Sequence, residues 1–162
     1  MDDPLVAELK CNVWSDNDNY HFAGELLTRR KCGFHSCLET TQLELCTSHL
    51  RDAGLEVKES GILNSGWGLF TTRDRVKNEL ICYFSGTEII GEIEGSSEYI
   101  SWRGGGVYID SSIERCSAAC ANASRKNNCS IKLYRKKCCI RTKKSLRNGD
   151  EIYIAYGRTY RW

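Results

Sequence analysis

The sequence predicts a mainly β protein built of several small sheets, with a small cysteine- and histidine-rich module at its N-terminal end. Two observations carry this expectation. From Leu55 onward the chain breaks into short apolar runs, beginning with LEV, WGLF and ELICYF, separated by Ser-Gly, Asn-Ser-Gly and Asn-Glu steps. That is the pattern of consecutive short strands joined by tight turns. Ahead of it, residues 10–50 hold all three histidines and four of the ten cysteines, a local enrichment that marks a separate unit. A chain of 162 residues has room for one domain or one domain with a small satellite, since domains run to about 100–150 residues. The expected division is a zinc-binding module over 1–52 and the β domain over 53–162.

Taken in order, the strand candidates after the three opening runs are VYID, SIKLY, CCIRT and EIYIAYG. Glu92 to Gly106 is polar and ends in Gly104-Gly105-Gly106, so it reads as a loop before VYID. A basic turn around Arg135-Lys136-Lys137 joins SIKLY to CCIRT. Little from Leu55 on has helical periodicity, and no internal repeat is present.

Composition narrows the function classes. Apolar content of 41% and charged content of 27% are ordinary for a folded protein and argue against disorder or a fibrous class. No apolar run reaches the ~20 residues needed to cross a bilayer. The start MDDPLVAELK lacks the basic and apolar stretches of a secretory signal, so an intracellular protein is expected. The net charge of +2 hides a split: residues 1–114 hold 10 Lys and Arg against 19 Asp and Glu, whereas residues 115–162 hold 13 against 2. The basic stretch 125–147 points to an acidic partner or to DNA, although charge runs are more often solvated faces.

Ten cysteines in a reducing compartment turn attention to metal, because disulfides are rare there. Cys32, Cys37, Cys46 and His49 form C-x4-C-x8-C-x2-H, thiolate and imidazole ligands able to close a tetrahedral shell around structural zinc. Cys11 is an alternative for Cys32 or Cys37, and His35 is a spare donor. The competing reading is a set of small buried residues without metal. Against it, some 40 residues with few large apolar side chains need a staple to fold. A catalytic zinc is not expected, since no carboxylate stands at a metalloenzyme spacing beside these ligands.

The segment VKESGILNSGWGLFTTRDRVKNELICYFSGTEII, residues 57–90, places Gly66 and Gly68 around Trp67, where glycine lets backbone pass close to a ligand. Tyr108-Ile109-Asp110 precedes a segment that aligns, backwards from Asn128 and Cys129, with Asn122 and Ser124 on an R-F-I-N-H-S-C-x-P-N pattern. Leu146 to Gly157, LRNGDEIYIAYG, matches I-x-x-G-E-E-L-T-x-x-Y-G. In this order the four segments resemble the SET domain family, over about 100 residues. Ala119, Ala123, Arg125 and Asn127 depart from the family's arginine, histidine, cysteine and proline.

The resemblance implies a pseudoknotted β-clip fold and binding of S-adenosylmethionine by Gly66, Trp67, Gly68, Asn122, Ala123 and Tyr156. Tyr156 falls on the catalytic tyrosine. Tyr153, Ile154, Tyr160 and Trp162 would line the channel for a substrate lysine, with the aromatic tail standing in for the zinc-binding element that closes this channel in many relatives. Ile154 occupies a position where relatives often carry the Phe or Tyr that controls how many methyl groups are added. The activity implied is protein-lysine methylation, on a histone tail or another chromatin protein in the nucleus, alongside possible subunits of a chromatin complex. Two other readings stay open: a non-catalytic SET-like subunit that tethers a chromatin complex, and a nucleic-acid-binding zinc protein using residues 125–147. Only Tyr134 interleaves with the cations there, fewer aromatics than a base-stacking platform usually has.

Overall fold

A computed structural model describes residues 15–16, 19–20, 30–91, 100–112 and 114–155 of the chain. They form six small sheets, with a short α-helix and a 3-10 turn between strands. The mainly β expectation holds. Strands β1 (Ser15–Asp16) and β2 (Asn19–Tyr20) make a two-residue ladder. Next, β3 (Arg30–Lys31) pairs with β4 (Thr40–Thr41), closing the loop that holds Cys32 and Cys37. Helix α1 (Thr47–Asp52) begins after Cys46 and buries Leu50. It ends where Gly54 takes a φ of 79°, reversing the chain into β5.

Strand β5 (Leu55–Glu59) lies antiparallel to β6 (Trp67–Thr71), in register from Leu55 opposite Thr71 to Glu59 opposite Trp67. Leu55 and Val57 point inward on alternate positions, as a half-buried strand requires, while four of the five residues of β6 are buried. After β7 (Leu80–Tyr83) come β8 (Thr87–Ile90), β9 (Ile100–Gly104) and β10 (Val107–Asp110), in spatial order β8-β10-β9. Strand β9 was not expected: the sequence reads as loop up to Gly106. The Gly104-Gly105-Gly106 run makes the turn into β10, with all three glycines at positive φ, and register against β10 shifts at Val107/Tyr108. The segment before β9 in that expected loop, residues 92–99, lies outside the described residues.

A 3-10 turn, Ser117–Cys120, leads into β11 (Asn122–Ala123). The hairpin of β12 (Cys129–Tyr134) and β13 (Lys137–Thr142) forms where the two apolar runs and the basic turn were expected, with β7 on the far side of β13. The EIYIAYG run yields less strand than its composition suggests: β14 is Tyr153–Ile154, and Glu151 makes an isolated bridge to Phe70. The last described stretch lies between two earlier ones. On one side it bonds to β6, through Gly149 N–H to Thr71 O (2.8 Å), Thr71 N–H to Asp150 O (3.0 Å) and Ile152 N–H to Leu69 O (2.7 Å). On the other, β14 pairs in parallel with β11, Asn122 opposite Tyr153 and Ala123 opposite Ile154. Insertion between elements, rather than addition at an edge, is what the pseudoknotted fold demands, in contrast to the usual avoidance of threaded chains.

One buried cluster joins α1, β5, β6, β7, the 3-10 turn, β12, β13 and β14. Leu69, Ile81, Ile140, Leu146, Ile152 and Ile154 pack with Leu43 and Leu50 from the cysteine- and histidine-rich region. No disulfide joins the nine cysteines among the described residues. No helix among the described residues is long and apolar enough to cross a membrane.

Candidate metal centre and cofactor cleft

The four residues singled out by spacing converge. The ligand atoms of Cys32, Cys37, Cys46 and His49 all lie within 4.8 Å of one another. Cys46 Sγ is 3.1 Å and Cys32 Sγ 3.5 Å from His49 Nδ1, and Cys37 Sγ is 4.0 Å from Cys46 Sγ. Tetrahedral zinc, with bonds of about 2.3 Å to sulfur and 2.0–2.1 Å to nitrogen, sets its ligand atoms about 3.5–3.8 Å apart. The observed separations bracket that range, so the donor set fits zinc in both chemistry and size. Local structure explains how: Cys46 caps α1 and His49 follows within its first turn, while the β3–β4 loop folds Cys32 and Cys37 over them.

The surroundings favour thiolate at one ligand. Burial acts to raise the Cys32 thiol, but backbone N–H groups of Cys46 and Phe34 and the His49 ring outweigh it and hold it down to about 7. The Cys46 N–H donates to Cys32 Sγ at 3.3 Å. For Cys46 burial wins and the thiol is raised. Phe34 stacks on His49, with ring centroids 4.0 Å apart and planes at 12°, orienting the imidazole. Cys11, the alternative ligand, lies outside the described residues, and His35 is not part of the cluster.

Between the ligands Cys37 and Cys46, Glu44 reaches into the β domain. Its carboxylate accepts from the Ser117 N–H (2.7 Å) and from the Ser117 hydroxyl, capping the 3-10 turn that ends two residues before Asn122.

The second constellation is built around the inserted C-terminal stretch. Gly66 adopts a φ of 66°, a conformation side chains resist, and its carbonyl accepts from the Ser60 N–H at 2.8 Å. Gly68 faces Glu151: a Cβ there would stand 2.4 Å from Glu151 Oε1. Asn122 Nδ2 donates to Trp67 O at 2.7 Å and to Glu151 Oε1 at 3.3 Å. Among the described residues nothing donates to Asn122 Oδ1, which leaves the acceptor end of this half-buried side chain for a ligand's ammonium or hydroxyl.

Glu151 is the hub that sequence reasoning missed, although it stands inside the GDE motif. It is 7% exposed and accepts from Ser60 Oγ (2.6 Å), Gly61 N–H (2.8 Å) and the Tyr153 hydroxyl (2.7 Å) besides Asn122. Asn128 fixes the same stretch: its Nδ2 donates to Glu151 O at 2.8 Å, and its Oδ1 accepts from the Tyr153 N–H at 2.9 Å. Burial, then the bond to Glu151 and its charge, push the Tyr153 phenol up to about 12. The Tyr153 hydroxyl is thus committed to Glu151. Ile154 is buried in the core opposite Ala123. Tyr156, Tyr160 and Trp162 lie outside the described residues. Gly66, Trp67, Gly68, Asn122, Ala123, Tyr153 and Ile154 are brought together.

Comparison with known proteins bears on the fold. Searching curated proteins returns no match. Among solved structures, the Chaetomium thermophilum polycomb repressive complex 2 is similar at 18% identity and a TM-score of 0.56, over 65% of this chain and 15% of that one. An active polycomb repressive complex 2 in the stimulated state gives 19% and 0.55, over 64% and 15%. A polycomb repressive complex 2 in an autoinhibited conformation bound to S-adenosylmethionine gives 19% and 0.56, over 66% and 15%. These likenesses show the fold, and the chain spans about 15% of the length of those chains. The SET domain family model matches residues 66–157, more than half of the chain and the stretch that carries both Gly68 and the Glu151 hub; the chain belongs to the SET domain family.

Proposed function

We propose that this protein is an S-adenosylmethionine-dependent protein-lysine N-methyltransferase acting on a histone or another chromatin protein in the nucleus, with a zinc module over 1–52 ahead of a SET domain over 53–162. The single observation that supports it best is the parallel pairing of β11 with β14. That pairing sets Asn122 beside Trp67 O and Glu151, at the glycine turn of Gly66 and Gly68. The neighbour bound to S-adenosylmethionine supports the same cofactor here.

When bound, S-adenosylmethionine supplies a methyl group activated by a sulfonium centre. The chain's own part is to hold and align. Backbone at Gly66, Trp67 and Gly68 would hold the ligand, Asn122 Oδ1 would accept a hydrogen bond from it, and Ala123 would leave room beside it. A substrate lysine, with an ordinary pKa near 10.4, must first lose a proton. The Tyr156 hydroxyl would then orient the neutral amine, and Tyr153, Tyr160 and Trp162 would wall off its stem, their rings holding a methylated cation; Ile154 would act from behind, being buried in the core. Positioning and desolvation, rather than acid–base groups, carry the rate. Zinc at Cys32, Cys37, Cys46 and His49 is structural.

Tyr156→Phe tests the reading, since it keeps the ring and removes one oxygen. Loss of a dipole aimed at a transition state costs on the order of 2.7–4 kcal/mol, so transfer to lysine should fall about a hundredfold or more, while calorimetry shows unchanged cofactor affinity. Asn122→Ala should weaken cofactor binding itself. Wild-type protein that binds no S-adenosylmethionine would refute the enzymatic reading. A second reading, a non-catalytic SET-like subunit of a chromatin complex, is favoured by one feature: Ala123 and Arg125 stand beside Asn122 where the family has histidine and cysteine. Protein that binds cofactor yet transfers to no offered lysine would support it.

A further inference from the structure

Beyond its first residues, where β14 approaches and the preceding Asn128 N–H donates to Tyr153 O, the β12–β13 hairpin presents an edge with no strand paired to it among the described residues. Strand β12 is the outer strand of its sheet, in the order β12-β13-β7, so one row of its backbone N–H and C=O groups faces away from β13. Such rows are templates for another strand, and proteins commonly shorten, charge or cover them. Here Ile131, Leu133 and Tyr134 are 37%, 50% and 39% exposed along it.

Register shows what these side chains are doing. Ile131 lies opposite Ile140, and Leu133 opposite Cys138; both partners are buried. Ile131 and Leu133 therefore continue the core-facing side of the sheet past the point where the core covers it. On the other side, Tyr134 sits under the guanidinium groups of Arg135 and Arg141, at 5.3 Å and 5.0 Å. Residues 130–147 hold eight Lys and Arg and no Asp or Glu. The turn itself is unusual: Arg135 and Lys136 take φ of 48° and 60°, where two-residue hairpins favour Asn-Gly. Cations occupy positions that local conformational preference would give to other residues.

Three occupants differ in what they would use. A second copy of this chain would bring its eight cations against these eight, and like charges across a strand pair repel. Duplex DNA would use the cations but neither the backbone row nor the apolar overhang. An extended acidic protein segment uses all three. We propose that β12 accepts, as an added strand, an extended segment of a partner protein in which apolar residues alternate with Asp or Glu. The apolar residues would extend the face of Ile131 and Leu133, and the acids would meet Lys132, Arg135 and Lys136. Backbone pairing of this kind supplies affinity while alternate side chains supply selectivity. The reading does not depend on cofactor binding or catalysis.

The test titrates the full chain with a labelled octapeptide alternating Glu and Val, beside an all-Glu octapeptide, the alternating peptide N-methylated on every second residue, and a 20-base-pair duplex. Saturable binding of the alternating peptide is expected, with amide exchange slowed at 131–134 and affinity reduced at least tenfold by N-methylation. Lys132→Glu combined with Lys136→Glu should reduce it at least tenfold, and so should Leu133→Ser, all at unchanged circular dichroism. Equal affinity for the all-Glu peptide without slowed exchange would overturn the proposal in favour of bare charge attraction. Tighter binding of the duplex, lost in the same lysine variant, would overturn it in favour of a nucleic-acid surface. Absence of peptide binding at low salt would also overturn it.

Discussion

Glu151→Gln tests whether one carboxylate holds the cleft together. The substitution keeps shape and replaces one acceptor oxygen by an amide nitrogen. If that nitrogen took the place of Oε2 it would confront the Gly61 N–H at 2.8 Å, a backbone donor that cannot turn away. At the place of Oε1 it faces the Ser60 hydroxyl, which can rotate to accept, and Asn122 Nδ2 at 3.3 Å, which keeps its bond to Trp67 O. The second orientation wins, losing one long hydrogen bond and the charge assistance at the others. Hydrogen bonds to charged groups contribute about 1.5–3 kcal/mol against roughly 0.5–1.5 for neutral ones. Relief from burying a charge offsets part of the loss. The expected net cost is about 2 kcal/mol, or about 4–8 °C in Tm for a chain of this size. Glu151→Ala leaves the Ser60, Gly61 and Tyr153 donors without their acceptor, while Asn122 keeps Trp67 O, and should cost about 3–5 kcal/mol. Urea unfolding monitored by tryptophan fluorescence measures both. The Tyr153 phenol, raised to about 12 by burial and by Glu151, should titrate closer to 10 in Glu151→Gln, read as a phenolate absorbance difference against Tyr153→Phe. A Glu151→Gln variant within 0.5 kcal/mol of wild type, or an alanine variant no worse than the glutamine one, would refute the hub.

Gly68→Ala places a methyl 2.4 Å from Glu151 Oε1; overpacking of this kind costs about 1–3 kcal/mol. Its effect should be less than additive with Glu151→Gln in a double-mutant cycle, because both displace one carboxylate. Acid stability should depend on Glu79, whose carboxyl burial acts to raise but which the Val76 N–H, Arg73 and Arg75 hold below its ordinary value. A depressed folded pKa means the stabilisation is present above the unfolded value near 4.3 and is lost as pH falls through the folded one. Glu79→Gln should therefore flatten the fall in urea midpoint below about pH 4.3, and an unchanged acid limb would count against the Arg75–Glu79 pair. Chelation of the metal should accelerate amide exchange over residues 32–50 while leaving β12 and β13 protected, and Cys46→Ser should bring bound zinc, measured by elemental analysis, well below one equivalent.

How much of this was legible in the sequence depended on how far apart the cooperating residues lie. The four clustered residues could be read because they come in two close pairs, one from a loop and one from a helical turn, which the fold brings within 4.8 Å. Strands β5, β6, β7, β10, β12 and β13 were legible as apolar runs between turn signals. Strand β9 was not: Ile100-Ser101-Trp102-Arg103 alternates apolar and polar residues, but the run is only four residues between a polar stretch and three glycines, and it is held by pairing with β10. Likewise EIYIAYG has the composition of a long strand, yet the parallel partner across it, β11, is two residues long.

The interactions that join the two constellations were the least legible, since they are polar contacts between residues far apart in sequence. Glu44 looks like any surface acid in a cysteine-rich loop. Its carboxylate instead accepts two hydrogen bonds from Ser117, 73 residues away. The Gly33 N–H donates to Glu44 O at 2.9 Å, and Leu43 beside it is fully buried in the common core. The loop is thus held around Glu44 by the clustered Cys37 and Cys46 and by the core. Ser117 opens the turn whose exit sets Asn122 against Trp67 O. A contiguous path of hydrogen bonds and short backbone segments therefore runs from the cysteine and histidine cluster to the acceptor end of Asn122. The cysteine- and histidine-rich region is thus tied to the β domain both by the Glu44–Ser117 hydrogen bonds and by the shared core.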